Sequence, residues 1–203
     1  MPGFTLPDGV TLKNRIGAHS HSELERREAA LVKKRALQLA EAPPNPTFDT
    51  AHLKSIHRHL FQDIFEWAGH SRDEKLRLSD GMLASEPEMR KPGGKAFSPG
   101  NKIAPALKAL FARLHKDGFL RSLDRSDFAR QAAVFPQNLN TIHPFREGNG
   151  RTQRILLEQL AEQAGHDLDF TVVTRERMVR ASMVHPSAPQ PNPATLAFCA
   201  ASA

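Results

Sequence analysis

The chain has 203 residues, a formal net charge of +6, a pI near 9.8 and 39% hydrophobic residues. That suffices for one domain with a substantial core, and no apolar run approaches the roughly 20 residues of a membrane-crossing helix. Cys199, the one cysteine, excludes an intrachain disulfide and a thiolate metal cluster, and reads as a small apolar residue.

Residues 1–8 lack a basic segment followed by an apolar one, so no secretory signal peptide is read there. The basic residues are mixed with acids, and the densest clusters (Lys33 to Arg35; Arg90, Lys91 and Lys95) are short. Tyrosine is absent and no basic–aromatic alternation appears. The charge therefore reads as solubility and attraction to an acidic nucleotide or protein, not as a nucleic-acid interface.

In chain order, Ser22 with Glu25 makes a capping box that opens a helix to about residue 41. Pro43, Pro44 and Pro46 stop it. Asp49 or Thr50 caps a second helix, whose stripe of Leu53, Ile56, Leu60, Phe61 and Ile64 carries it to about residue 69. Residues 70–98 are irregular, with a turn signal at Lys91, Pro92, Gly93, Gly94 and Lys95 between short extended pieces. Ile103, Leu107, Leu110 and Leu114 give a third helix, ended near Gly118. Ser126 caps a fourth, with Phe128, Ala132, Phe135, Leu139 and Ile142 on one face and Pro136 inside it as a kink. A fifth runs from Arg151 to about Ala164, with Gly165 at its end. A helix from Thr174 to about Met183, a Pro-rich linker over 187–193 and a short tail over 194–203 complete the expectation. The architecture expected is all-α, a helical bundle with a small β-hairpin, in a single domain over 1–203.

The window from His143 to Arg154 concentrates the chemistry. Gly148, Asn149 and Gly150 form a turn opening a helix, where free N–H groups and the positive dipole end suit phosphate. Arg151 and Arg154, three apart on one helical face, can fork onto phosphate oxygens. Glu147 is a hard oxygen ligand of the type Mg²⁺ takes when it also holds substrate phosphates. His143 is suited to take a proton from a hydroxyl near neutral pH. The other histidines read as core or solvated. His57 and His59, two apart on a helix, point to different sides and make a poor metal pair.

The string has the form His-Pro-Phe-x-Asp/Glu-Gly-Asn-Gly-Arg-x-x-Arg and resembles the Fic motif without a departure. Phe48 to Leu53, Ile56 with His57, Asp63 to Gly69, and Arg72 resemble the front half of a Fic domain. Residues 11–17 resemble its opening segment and residues 169–178 the segment after the motif helix, so roughly residues 8–185 are covered. The flavour is that of Fic domains in bacterial type IV secretion effectors and of the related antitoxin-partnered toxins.

The resemblance implies a Fic-fold bundle and a protein adenylyltransferase using ATP and Mg²⁺. His143 would be the base. Glu147 would hold the metal. Gly148, Asn149 and Gly150 would form the anion hole, with the Asn149 side chain on the α-phosphate. Arg151 would bind the β-phosphate and Arg154 the γ-phosphate. Residues 91–95 would be the tip of a flap that docks the target segment by strand addition. The implied partners are a target protein with a hydroxyl side chain, such as a bacterial topoisomerase subunit or a host GTPase, and a small antitoxin. The antitoxin would carry a helix with Ser or Thr, three residues, Glu, then Gly or Asn; this chain lacks that pattern. The implied location is the bacterial cytoplasm, or a recipient or host cell after translocation. Two alternatives stay open: a Fic enzyme transferring UMP, phosphocholine or phosphate, and a non-catalytic docking module. The phosphate-transferring branch departs from the motif at Gly150 and Arg154, where this chain does not.

Overall fold

The computed structural model describes residues 3–43, 45–90 and 96–168. The expected helix after Thr174, the linker and the tail lie outside those residues, as does the turn at 91–95.

Helix α1, His21–Glu41, is capped by Ser20, whose hydroxyl accepts from Glu23 N, while the Glu23 carboxylate reaches back to His19 N at 3.1 Å. The cap lies two positions ahead of the expected Ser22. Ser20 with Glu23 has the same spacing, and starting earlier adds the Leu24 N to Ser20 O bond at 2.9 Å. Helix α2, Thr50–Phe61, begins where expected, with Asp49 accepting from His52 N at 2.8 Å. It ends well short of residue 69. The chain turns after Phe61 so that the Ile64 carbonyl can accept from Arg15 N at 2.8 Å. Ile64, Phe65 and Trp67 are buried from the turns instead of a helix, and Trp67 meets Phe4 edge-on at 5.0 Å.

A two-stranded antiparallel ribbon follows, β1 Leu76–Arg77 and β2 Leu83–Ala84. Beyond it an isolated antiparallel bridge pairs Arg90 with Ala96, and Phe97 N donates to Met89 O at 3.0 Å. The bridge brackets residues 91–95. Helix α3 is Gly100–Lys116 and a short 3-10 turn occupies Gly118–Leu120. Helix α4, Arg125–Ile142, contains Pro136 and is capped by Asp124, which accepts from Asp127 N at 2.8 Å. The expected cap, Ser126, is inside the helix, because Asp124 is an equally good cap one position before the first turn. Helix α5, Asn149–Ala164, starts two residues ahead of Arg151 and ends at Gly165 with φ 81°.

Helix α5 packs on α2 and α4, α3 packs on α4, and α1 packs on α2. Leu53, Ile56, Leu60, Leu139, Leu156 and Leu160, all nearly inaccessible, fill the space between them. No described helix is long and apolar enough to cross a membrane. The bundle brings the C-terminal end of α4 and the N-terminal end of α5 together, six residues apart in sequence, against the middle of α2.

Candidate active site

His143 is the C-cap of α4. Its N–H donates to Leu139 O at 2.9 Å, and it adopts the left-handed conformation, φ 50° and ψ 63°. That reversal sends Pro144 and Phe145 back into the core. Arg72, 1% exposed, holds the reversal from behind. Its Nε donates to His143 O at 2.9 Å and its backbone N to Pro144 O at 2.7 Å. The same guanidinium donates through Nη1 to Glu86 O and Pro87 O and through Nη2 to Ser98 O. One buried arginine thus ties both legs of the segment around residues 91–95 to the backbone of His143. The His143 ring lies flat on Phe97, centroids 3.7 Å apart and 12° between planes.

Asn149, 5% exposed, closes the next turn: Oδ1 accepts from Phe145 N at 3.0 Å and Nδ2 donates to Phe145 O at 2.7 Å. Gly148 has φ 80°, and a Cβ there would stand 2.3 Å from Phe61 Cζ. Both facts require glycine. Gly150 is different. Its φ is ordinary and a Cβ would meet nothing within 4 Å. No protein atom near it demands glycine; the space it faces is open, as an anion approaching the first turn of α5 needs.

His57 is fully buried between Phe145, stacked at 3.8 Å, and Phe61. Gly69 N donates to its Nδ1 at 2.8 Å, so the ring proton sits on Nε2 and is donated to the Glu147 carbonyl at 3.0 Å. Burial drives its pKa down to about 3, keeping it neutral. It is a satisfied core histidine, as its sequence context suggested, and its hydrogen bond goes to the motif loop.

The Glu147 carboxylate accepts from Gly148 N at 2.8 Å and from Arg151 Nη2 at 3.1 Å, and its side chain is 43% exposed. Arg151 lies over the Phe61 ring at 4.8 Å and makes a second ion pair, 2.5 Å from Nη2 to Glu28 Oε1 on α1. Arg154, one turn on, is exposed and acts electrostatically on Glu158, whose pKa burial raises and Arg154 lowers. Arg146 pairs with Glu86 at 2.5 Å, a second tie between the motif and the segment after β2.

His143, Glu147, the 148–150 turn and the two arginines therefore gather at one place, while residues 91–95 lie outside the described chain. Glu28, His57, Arg72 and Phe97 were not read as site residues. Glu28 left a signal: it occupies the apolar row of Leu24, Val32 and Leu39, where a carboxylate must have a partner. His57 and Arg72 showed only as part of the family resemblance and Phe97 not at all, because their contacts join segments distant in sequence.

A glycine turn at the N-terminus of α5, with a carboxylate before it, two arginines after it and a histidine at the end of the preceding helix, has the chemistry of an anion site on a helical scaffold. The Fic/DOC family profile matches residues 47–161, and the chain belongs to that family. It is 40% identical over 181 residues to a protein adenylyltransferase of Bartonella henselae, a match covering 89% of this chain and 33% of that protein. The chain thus spans about a third of that relative's length. Among solved structures it is similar to BepC, a VirB-translocated effector of Bartonella tribocorum with bound AMPPNP (36% identity, TM-score 0.91, covering 97% of this chain and 94% of that one). It is also similar to the N-terminal Fic domain of a VirB-translocated Bep effector of Bartonella quintana with bound ADP (38% identity, TM-score 0.91, 97% and 92% coverage).

Proposed function

We propose that the chain is a protein adenylyltransferase, moving AMP from ATP to a Ser, Thr or Tyr hydroxyl of a target protein. The observation that carries this reading is the convergence of His143, Glu147, the 148–150 turn, Arg151 and Arg154 where α4 hands over to α5. In the proposed reaction the target oxygen attacks the α-phosphorus, its proton passes to His143, and the bond to the bridging oxygen of pyrophosphate breaks. The N–H groups of the 148–150 turn receive the charge that grows on the phosphoryl oxygens. Asn149 commits Oδ1 and one Nδ2 hydrogen to Phe145, so its backbone N–H and its second Nδ2 hydrogen are what it can offer the α-phosphate. Arg151 takes the β-phosphate and Arg154 the γ-phosphate, which aligns pyrophosphate as the leaving group.

Mg²⁺ fits the donors present. Among the described residues no three His, Cys, Asp or Glu side chains gather around one point. Glu147, half exposed beside the 148–150 turn, is a hard donor of the kind that would hold a phosphate-bound Mg²⁺. Bound there, the ion would neutralise phosphate charge. Arg151 must then release Glu147 and keep its other partner.

The similarity to translocated effectors supports a toxin or effector role with a protein target in a bacterial, recipient or host cell. Restraint by a separate antitoxin belongs to the same reading and rests on the resemblance to antitoxin-partnered toxins. Incubation of bacterial and eukaryotic lysates with α-labelled ATP tests the activity. Labelled bands made by the wild type and not by His143→Ala are expected, and equal labelling by both would overturn the reading. Co-expression with the product of the adjacent gene tests the antitoxin: lowered labelling is expected.

A further inference from the structure

Glu28 stands on the buried face of α1, in line with Leu24, Val32 and Leu39. Its side chain is 8% exposed, and its ion partner is Arg151, 2.5 Å away. Burial raises the Glu28 pKa and the Arg151 cation opposes that rise. Arg151 needs a fixed counter-charge more than most arginines do. It lies in the first turn of α5, where the helix dipole repels a cation, and its long side chain resists being held in one rotamer. Glu147 also meets Arg151 Nη2, at 3.1 Å, but it is 43% exposed and is the donor that turns to a metal ion. Glu28, from a different helix and buried, has nowhere else to go. Both carboxylates take Nη2, which leaves Nη1 and Nε as donors toward an incoming oxyanion. The Phe61 face, 4.8 Å from the guanidinium carbon, limits the plane in which they turn.

We propose that Glu28 is a positioning residue for nucleotide binding, holding Arg151 by Nη2 so that its other donors meet the β-phosphate. The role rests on the nucleotide reading above and extends it to a helix outside the motif. Glu28 touches no substrate itself; it acts through Arg151.

The test compares AMPPNP, which has a β-phosphate, with AMP, which has none. AMPPNP affinity is measured by calorimetric titration in the presence of Mg²⁺ and AMP affinity by ligand-observed NMR. Glu28→Ala is expected to bind AMPPNP about tenfold more weakly than the wild type with AMP affinity unchanged, the size of one charged hydrogen bond. Glu28→Gln, which keeps an acceptor and the packing of α1, is expected to fall between the two. Glu25→Ala, an exposed carboxylate on the same helix, is expected to match the wild type. If Glu28→Ala does not fold, Glu28→Gln carries the test by the same criterion. Equal or tighter AMPPNP binding by the variants, or a parallel loss of AMP and AMPPNP, would overturn the role of Glu28 while leaving the nucleotide site standing. Absence of AMPPNP binding by the wild type would overturn both.

Discussion

The imidazole of His143 lies against the ring of Phe97 at 3.7 Å, nearly parallel to it. Phe97 follows directly on Ala96, which closes the bridge to Arg90 across residues 91–95. The histidine therefore has its backbone set by α4 and its ring set by the segment that would dock a target. If His143 is the base and that segment docks the target, as proposed, the stack would make the ring's orientation depend on the docking segment.

His143→Ala is expected to lower transfer by roughly 10²–10⁴-fold while AMPPNP affinity stays close to that of the wild type, since a general base acts on the nucleophile. Because φ is 50° at this position, His143→Asn, which tolerates the left-handed conformation, is the better-folded control. Phe97→Leu keeps an apolar side chain but loses the stack, worth about 0.5–1.5 kcal/mol. Transfer is expected to fall up to about tenfold, read as labelling rate with saturating ATP, with nucleotide affinity unchanged.

Arg72→Gln strips donors from the carbonyls of His143, Glu86, Pro87 and Ser98 at once. These carbonyls are only partly buried and water can replace some of the lost bonds, so a loss of about 1–3 kcal/mol in total is expected in urea unfolding. Arg72→Lys should recover only part of it, because a single ammonium cannot reach four carbonyls in a planar fork. A variant as stable as the wild type would show that these bonds are made equally well by water.

The motif was legible because its glycine turn, arginines, carboxylate and histidine are neighbours in sequence, and because α4 and α5 show their apolar faces at helical spacing. The end of α2 was not legible. Ile64 continues the stripe of Ile56 and Leu60, and only the distant Arg15 N–H shows why the chain turns instead. Two overlapping Ser-x-x-Glu patterns, from Ser20 and from Ser22, left the start of α1 open by two residues. The supports of the site were hidden for a similar reason. Arg72 meets His143 across 71 residues, and His57 meets Glu147 across 90. Local pattern carries no information at that range. Asn149 shows a subtler limit: a residue placed for phosphate by its motif also turns out to lock the Phe145 turn.

His57 makes stability depend on pH. Its folded pKa is about 3, against about 6.5 in an unfolded chain. Above the unfolded value both states are neutral and the full contribution is present. As pH falls below ~6.5 the unfolded chain takes up a proton that the folded site refuses, and stability drops progressively until the folded pKa is reached. Between pH 7 and pH 5 this group alone should remove about 2 kcal/mol. His52, also held low mainly by burial, acts in the same direction. In urea titrations the advantage of the wild type over His57→Gln is expected to shrink as pH is lowered from 7 to 5. A constant difference would mean that His57 is not neutral and sequestered.

Gly148 and Gly150 look alike in the motif and should behave in opposite ways. At Gly148 a Cβ would stand 2.3 Å from Phe61 Cζ with φ at 80°, so Gly148→Ala must displace either the ring or the loop. A clear fall in melting temperature is expected, together with weaker AMPPNP binding, since Phe61 also faces Arg151. At Gly150, among the described residues and apart from its own helix backbone and chain neighbours, no atom lies within 4 Å of the place a methyl group would take, and φ is ordinary. Gly150→Ala should therefore fold as well as the wild type, and gain up to about 1 kcal/mol from the helix preference of alanine over glycine. Its added methyl would nevertheless stand at the N-terminal turn where the phosphates must approach the backbone. The expected result is a melting temperature at or above that of the wild type with AMPPNP affinity reduced at least about tenfold, the loss of one good hydrogen bond to a charged oxygen. If Gly150→Ala bound AMPPNP as the wild type does, the phosphates would not pass over the first turn of α5, and the anion-hole role of the 148–150 turn would fall with that result.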